Sequence, residues 1–177
     1  MSQQSLNPSN ATVMLRPVTK IIEATFTRPA DTTAYADGDT LCDSTSAPTI
    51  MTFAGIARAA GLGAVLQSAM LIKSTVQTTE LNADLLLFDT SITMSNDNVA
   101  FSPSDADAEK AVAIIQFRAS SNGSKLGLNT IFDAGAISRS VKCASGSTSL
   151  YGVLVARNAY TPGNAEVFRV RLGFIQD

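Results

Sequence analysis

The run VTKIIEATFTR, Val18 to Arg28, alternates apolar with polar side chains and is rich in β-branched residues, which predicts a half-buried strand. Pro29 ends it, since proline has no amide to give a ladder. Seven further runs have similar character: TIMTFAGIAR (49–58), AVLQSAMLIKSTVQ (64–77), ADLLLFD (83–89), AVAIIQFR (111–118), ISRSVKC (137–143), TSLYGVLVAR (148–157) and EVFRVRLGFI (166–175). Gly, Pro, Asn and Asp punctuate the links between them. One interruption differs: Ser102 reads as an N-cap, Pro103 as a first-turn proline, and Asp105, Asp107 and Glu109 as early-turn carboxylates of a short helix. About eight strands and one short helix exclude alternating βα units and predict an all-β sandwich or barrel. That count fits a single jelly-roll-like β-sandwich, with other Greek-key sandwiches as the alternative.

The chain has 177 residues, the size of one domain with a full core. Residues 1–15 are polar, Gln/Ser/Asn-rich and interrupted by Pro8, and they are expected to form a flexible N-terminal arm on a domain spanning 16–177. The stretch from Pro29 to Pro48 is turn-rich and reads as a long loop or irregular edge. A net charge of −2 with scattered Lys and Arg predicts no nucleic-acid and no membrane partner. No run approaches the ~18 apolar residues of a membrane helix, and no secretory leader is recognisable, which points to a cytoplasm-like compartment of synthesis. Only 16% of residues are charged, against about 25% in an average domain, so the surface is expected to pack on neighbours with little ion desolvation. Cys42 and Cys143, far apart in sequence, read as free thiols.

Histidine is absent, which removes the commonest general acid–base, the Ser-His and Cys-His pairs and the commonest zinc ligand. Tryptophan is absent too, leaving Tyr35, Tyr151 and Tyr160 either as a sugar platform or, more simply, as core or interface residues. Acidic groups gather at Asp31, Asp37, Asp39 and Asp43, and at Asp97, Asp105, Asp107 and Glu109, but the EF-hand spacing fails and turn formation explains them. A glycosidase pair would need a cleft that the sequence does not signal. Gly61-Leu62-Gly63 lacks the third glycine of a dinucleotide fingerprint and reads as a turn. Lys20, Arg58, Lys73, Lys110, Arg118, Arg157, Arg169 and Arg171 fall singly among strands, as on solvated faces or interface ion pairs. No catalytic, cofactor-binding or metal-binding residue is assigned, and no cofactor is expected; the chain reads as a non-enzyme.

The phrases LLLFD (85–89), DNVAFSPSDADAEKAVAIIQF (97–117), STSLYGVLVARNAYTP (147–162) and VFRVRLGFIQD (167–177) resemble small virion proteins of tailed bacteriophages, and among these the capsid cement or decoration proteins. The likeness runs from about Arg16 to Asp177. It implies a jelly roll that clamps the major capsid protein on the outside of the virion after assembly in the host cytoplasm, and a homo-oligomer, dimer or trimer. It carries over no catalytic position. The arm before Arg16 and the loop from Pro29 to Pro48 are the expected attachment segments, mobile when free. The alternative is a lectin-like, receptor-binding or fibre-associated head module, which needs a concave site lined by aromatics.

Overall fold

A computed structural model describes residues 18–176. Ten strands follow in order: β1 (Val18–Thr27), β2 (Thr40–Leu41), β3 (Met51–Phe53), β4 (Gly63–Lys73), β5 (Ala83–Phe88), β6 (Ala111–Phe117), β7 (Gly123–Leu126), β8 (Asn129–Lys142), β9 (Leu150–Ala156) and β10 (Val167–Gln176). Two four-residue helices interrupt them, α1 (Asp105–Ala108) and α2 (Ala119–Asn122). The strands form two antiparallel sheets, ordered β1-β10-β4-β8-β7 and β2-β9-β5-β6, with β3 also paired to β9. The protein is an all-β sandwich.

The pairs are nested. β1 takes β10, β2 and β3 take β9, β4 takes β8, and β5 takes β6, and successive pairs fall alternately in one sheet and the other. This is the order obtained by doubling one long antiparallel ribbon on itself and rolling it up. Between the sheets lie Ile22 of β1, Leu66 and Leu71 of β4, Phe132 of β8 and Val170, Leu172 and Phe174 of β10. They pack against Leu85 and Leu87 of β5, Ile115 and Phe117 of β6, and Leu150 and Leu154 of β9. Each such side chain removed from water stabilises the fold by about 1.5–3 kcal/mol.

A strict alternation would carry Leu66 and Ala69 to opposite faces. Register shifts between Leu66 and Ser68 and between Ser68 and Met70 absorb the extra residue and let both face inward. Gly152 is required in β9 because an added Cβ would stand 2.8 Å from the Phe53 ring and 3.2 Å from Leu85 Cδ1. A smaller cluster covers the outer face of the β2-β9-β5-β6 sheet, where Phe88, Val153 and Val155 meet Ile92, Met94 and Phe101 of the segment after β5.

Several expectations are corrected. The helix begins two residues later than the Ser102 reading: Ser104 is the cap, its side chain accepting from the Asp107 amide. Strand β8 begins at Asn129, not near Ile137, and β7 and α2 precede it, because Gly127 at φ +63° turns a hairpin that the polar run GSKLGLN does not advertise. The stretch 29–48 is not a loose loop: Tyr35, Leu41 and Cys42 are buried, and its amides reach across to other segments, Tyr35 to Tyr160 and Thr40 to Val99. The arm expected at residues 1–15 lies outside the described residues.

Candidate functional site

Polar residues that sequence reasoning either read singly, such as Lys73 and Tyr160, or left unassigned, such as Glu80, Thr130 and Glu166, gather at one end of the sandwich. β4 ends there on Lys73, in phase with the inward Ala69 and Leu71; Glu166 precedes β10, in phase with Phe168 and Val170; Thr130 opens β8, in phase with Phe132. All three are buried where the alternation would place an apolar residue. Lys73, expected on a solvated face or in an interface ion pair, is instead 0% exposed inside the fold. Its Nζ lies 3.3 Å from Glu166 Oε1, 2.9 Å from Glu80 Oε2 and 2.7 Å from the Thr75 carbonyl, and 5.3 Å over the Tyr160 ring. Tyr160 donates its hydroxyl to Glu166 Oε2 at 2.5 Å, and the Thr75 hydroxyl donates to Glu166 Oε1.

A second cluster repeats this plan with different residues. Arg28, directly after β1, donates Nε to the Tyr35 hydroxyl at 2.9 Å and stands 5.2 Å over that ring. Tyr35 donates to Asp97 Oδ1 at 2.7 Å, and Arg28 Nη2 reaches Asp97 Oδ2 at 3.4 Å and Asp31 Oδ1 at 3.0 Å. The Cys42 amide gives Asp97 a further donor at 3.0 Å. Each cluster is therefore a cation, a tyrosine and a carboxylate withdrawn from water, and the two tyrosines stack on each other.

Burial governs the ionisation of these groups. It pushes both phenols far above their ordinary range, with Glu166 adding to the effect at Tyr160. Asp97 is also raised, since burial outweighs the Cys42 amide, Tyr35 and Arg28. Glu80 goes the other way: burial opposes its charge, but Lys73 and the Gln77 amide hold its carboxyl below the usual range. Arg28 is raised despite burial by its bonds to Tyr35 and Asp31. Every charge in the belt is spent on another.

Beside it lies a hollow of about 390 Å³ lined by Ala34, Gln77, Thr78, Thr79, Tyr160 and Thr161. Its walls are methyl, hydroxyl and amide groups. Asp97 and Glu166 are sealed from solvent, so neither can meet a substrate there in this conformation. Tyr35 and Tyr160 are thus core residues, and Tyr151 is half-buried against the smaller cluster.

The remaining singled-out residues serve turns and surface pairs. Asp31, Asp39 and Asp43 each accept a nearby backbone amide, from Thr33, Ala36 and Thr49. Asp107 pairs with Lys110 at 2.7 Å, which lowers its carboxyl. Gly61, at φ +74°, turns the chain into β4. Asp84, on the outer side of β5, is gripped by Arg118 and Arg157, each at 2.7 Å. Cys42 and Cys143 are free and buried. Among the described residues, no three of His, Cys, Asp and Glu are placed to hold a metal ion, and no helix is long and apolar enough to cross a membrane.

No protein-family model and no curated protein matches the chain. Among solved structures, a chain of the cyanophage Pam1 capsid asymmetric unit is similar at 12% identity and TM-score 0.37, covering 99% of this chain and 100% of that one. A chain of the Israeli acute paralysis virus full particle is similar at 11% identity and TM-score 0.25, covering 98% of this chain and 74% of that one. At those scores neither likeness bears on the argument.

Proposed function

We propose that this chain is a virion structural protein, a jelly-roll module that binds and reinforces a phage capsid lattice as a cement or decoration protein. The observation that carries the reading is the nested pairing of β1 with β10, β2 and β3 with β9, β4 with β8, and β5 with β6. A rolled ribbon of this kind is an architecture that viral capsid and lectin domains share, and the step from it to a virion is an analogy of architecture. The phage-like phrases fall largely on four of its strands: LLLF on β5, AVAIIQF on β6, LYGVLVA on β9 and VFRVRLGFIQ on β10.

The site separates the two users of such a roll. A lectin head presents aromatic rings to a sugar. Here Tyr35 and Tyr160 are turned inward and hydrogen-bonded to buried carboxylates, which favours the structural role over the fibre alternative. The belt itself suits a brick, tying six chain segments at one end.

Electron microscopy of native particles together with a binding isotherm of the full chain on particles stripped of it tests the reading. The expected result is a sandwich-shaped density on the shell exterior, saturable binding, and attachment weakened at least tenfold when residues 1–13 are removed. Density at a fibre tip gives the chain to the lectin-like alternative. Failure of the full chain to associate with capsids overturns the cement role.

A further inference from the structure

The two outer faces of the sandwich are unequal. One is covered by the segment after β5, as described. The other, on the β1-β10-β4-β8-β7 sheet, presents Ile21, Val65, Met70, Ile72, Ile131 and Ile175, and none of these belongs to either packed cluster of the described residues. Ile21 is 72% exposed. Such a row of apolar side chains on an outer sheet face calls for a partner.

Around Met70 the charges on this face are arranged antisymmetrically about its central strand; Lys142, opposite Gly63 near the far end of β8, lies outside those rows. Cross-strand register puts Glu23, Arg171, Met70 and Asp133 in one row, and Thr25, Arg169, Ile72 and Ile131 in the next. Glu23 pairs with both Arg169, at 3.1 Å, and Arg171, at 2.6 Å, so the β1-β10 flank keeps one positive charge in excess. Asp133 on β8 gives these rows a negative charge on the other flank, and among the described residues its carboxylate accepts from the nearby Gly135 amide. Between them runs apolar β4. Arg171, Met70 and Asp133 line one hollow of about 260 Å³, floored by Gly173, which places the three side chains on the same side.

We propose that this face docks on the same face of a second copy, about a two-fold axis running along β4 through Met70. Neighbouring strands stand about 4.8 Å apart, so Arg171 lies one strand to one side of the axis and Asp133 one strand to the other. Rotation sets each Arg171 over Asp133 of the second copy, and Met70 against Met70. Self-complementarity of this kind is what an isologous interface requires. Four strands of ten or more residues and the four-residue β7, at that spacing and a rise of about 3.4 Å, give a face on the order of 700 Å², close to one partner's share of a standard interface. The inference is independent of the capsid reading, because it is tested on the isolated protein.

Sedimentation equilibrium of the full chain, with melting followed by circular dichroism as a control of folding, provides the test. A dimer is expected, weakened at least tenfold by Arg171→Asp or Asp133→Arg alone and restored toward the parent by the two together. Met70→Arg, which sets two guanidinium groups against each other on the axis, should yield a folded monomer. A full chain that stays monomeric at about 100 μM, a dimer indifferent to Met70→Arg, or a double swap that rescues nothing overturns the proposal. So does hydrogen exchange showing a monomer whose β4 face is covered by residues 1–13, or covered only when capsids are added.

Discussion

Tyr35 and Tyr160 lie ring against ring, with centroids 6.4 Å apart and planes 19° from parallel, and each donates its backbone amide to the other's carbonyl, at 2.9 and 3.2 Å. Through this contact the Arg28–Asp97 cluster and the Lys73–Glu166 cluster become one belt. Removing either hydroxyl leaves a sealed carboxylate one donor short. Tyr35→Phe and Tyr160→Phe should each cost about 1–3 kcal/mol in urea unfolding. Because the clusters touch, the double variant should depart from additivity by about 0.5 kcal/mol or more.

Lys73 pairs with two carboxylates at once, so its loss leaves Glu166 without its cation and Glu80 with the more distant Lys125 alone. Lys73→Met should destabilise by about 3–5 kcal/mol, and adding Glu166→Gln should recover part of that. Arg157→Ala, at a partly exposed pair, should cost about 1 kcal/mol or less. Equal losses at the two sites would show that the belt carries no special weight.

The belt also sets an acid limit. Glu80 titrates lower in the fold than in the unfolded chain, where glutamate sits near 4.3. Its contribution is present above that pH and is lost as pH falls through the lowered folded value. Melting temperatures between pH 6 and pH 3 should therefore fall more steeply for the parent than for Glu80→Gln. Asp97, raised by burial, contributes with the opposite slope.

Burial protects both thiols. The Cys42 thiol is pushed up to about 11, first by desolvation, and Cys143 is raised for the same reason. At pH 8 only about one Cys42 side chain in a thousand is thiolate, so an aromatic disulfide reagent should label native protein slowly and denatured protein at once. Rapid native labelling at Cys42 would contradict the packing of the 29–48 segment.

Gly152→Ala tests the tightest point of the core. The new methyl meets the Phe53 ring and Leu85, and the expected loss is about 1–3 kcal/mol with the fold retained. A neutral result in thermal melts would mean that β3 shifts freely against β9.

Most strands with one buried face were readable, because alternation survives in VTKIIEATFT and VFRVRLGFIQ, but the start of β8, where Thr130 and Phe132 are buried, was missed. It was lost where the ladder is edge-exposed and polar, as in GSKL of β7, or only two residues long, as in β2. The belt was partly visible: Lys73, Thr130 and Glu166 each fall in phase with apolar neighbours, a signal that buried polar groups await one another. Their partners were not visible. Asp97 lies 69 residues from Arg28, and Glu166 lies 93 from Lys73, separations that only the rolled ribbon brings together. The smaller cluster was equally hidden, since Ile92, Met94 and Phe101 sit in a segment with no periodicity.

The pairing of β1 with β10 has a mechanical consequence. Val18 stands opposite Gln176 at one pole of the molecule, while Thr27 stands opposite Val167 at the other, beside the belt. A pull that draws Val18 and Gln176 apart therefore peels this ladder rung by rung, as a zipper opens, passes the exposed Glu23 pairs with Arg171 and Arg169, and reaches the buried belt where Arg28 donates its amide to the Glu166 carbonyl. A load spread across the sheet faces strains all the rungs together. The sandwich is weak to traction at its strand ends and stiff to pressure on its flanks.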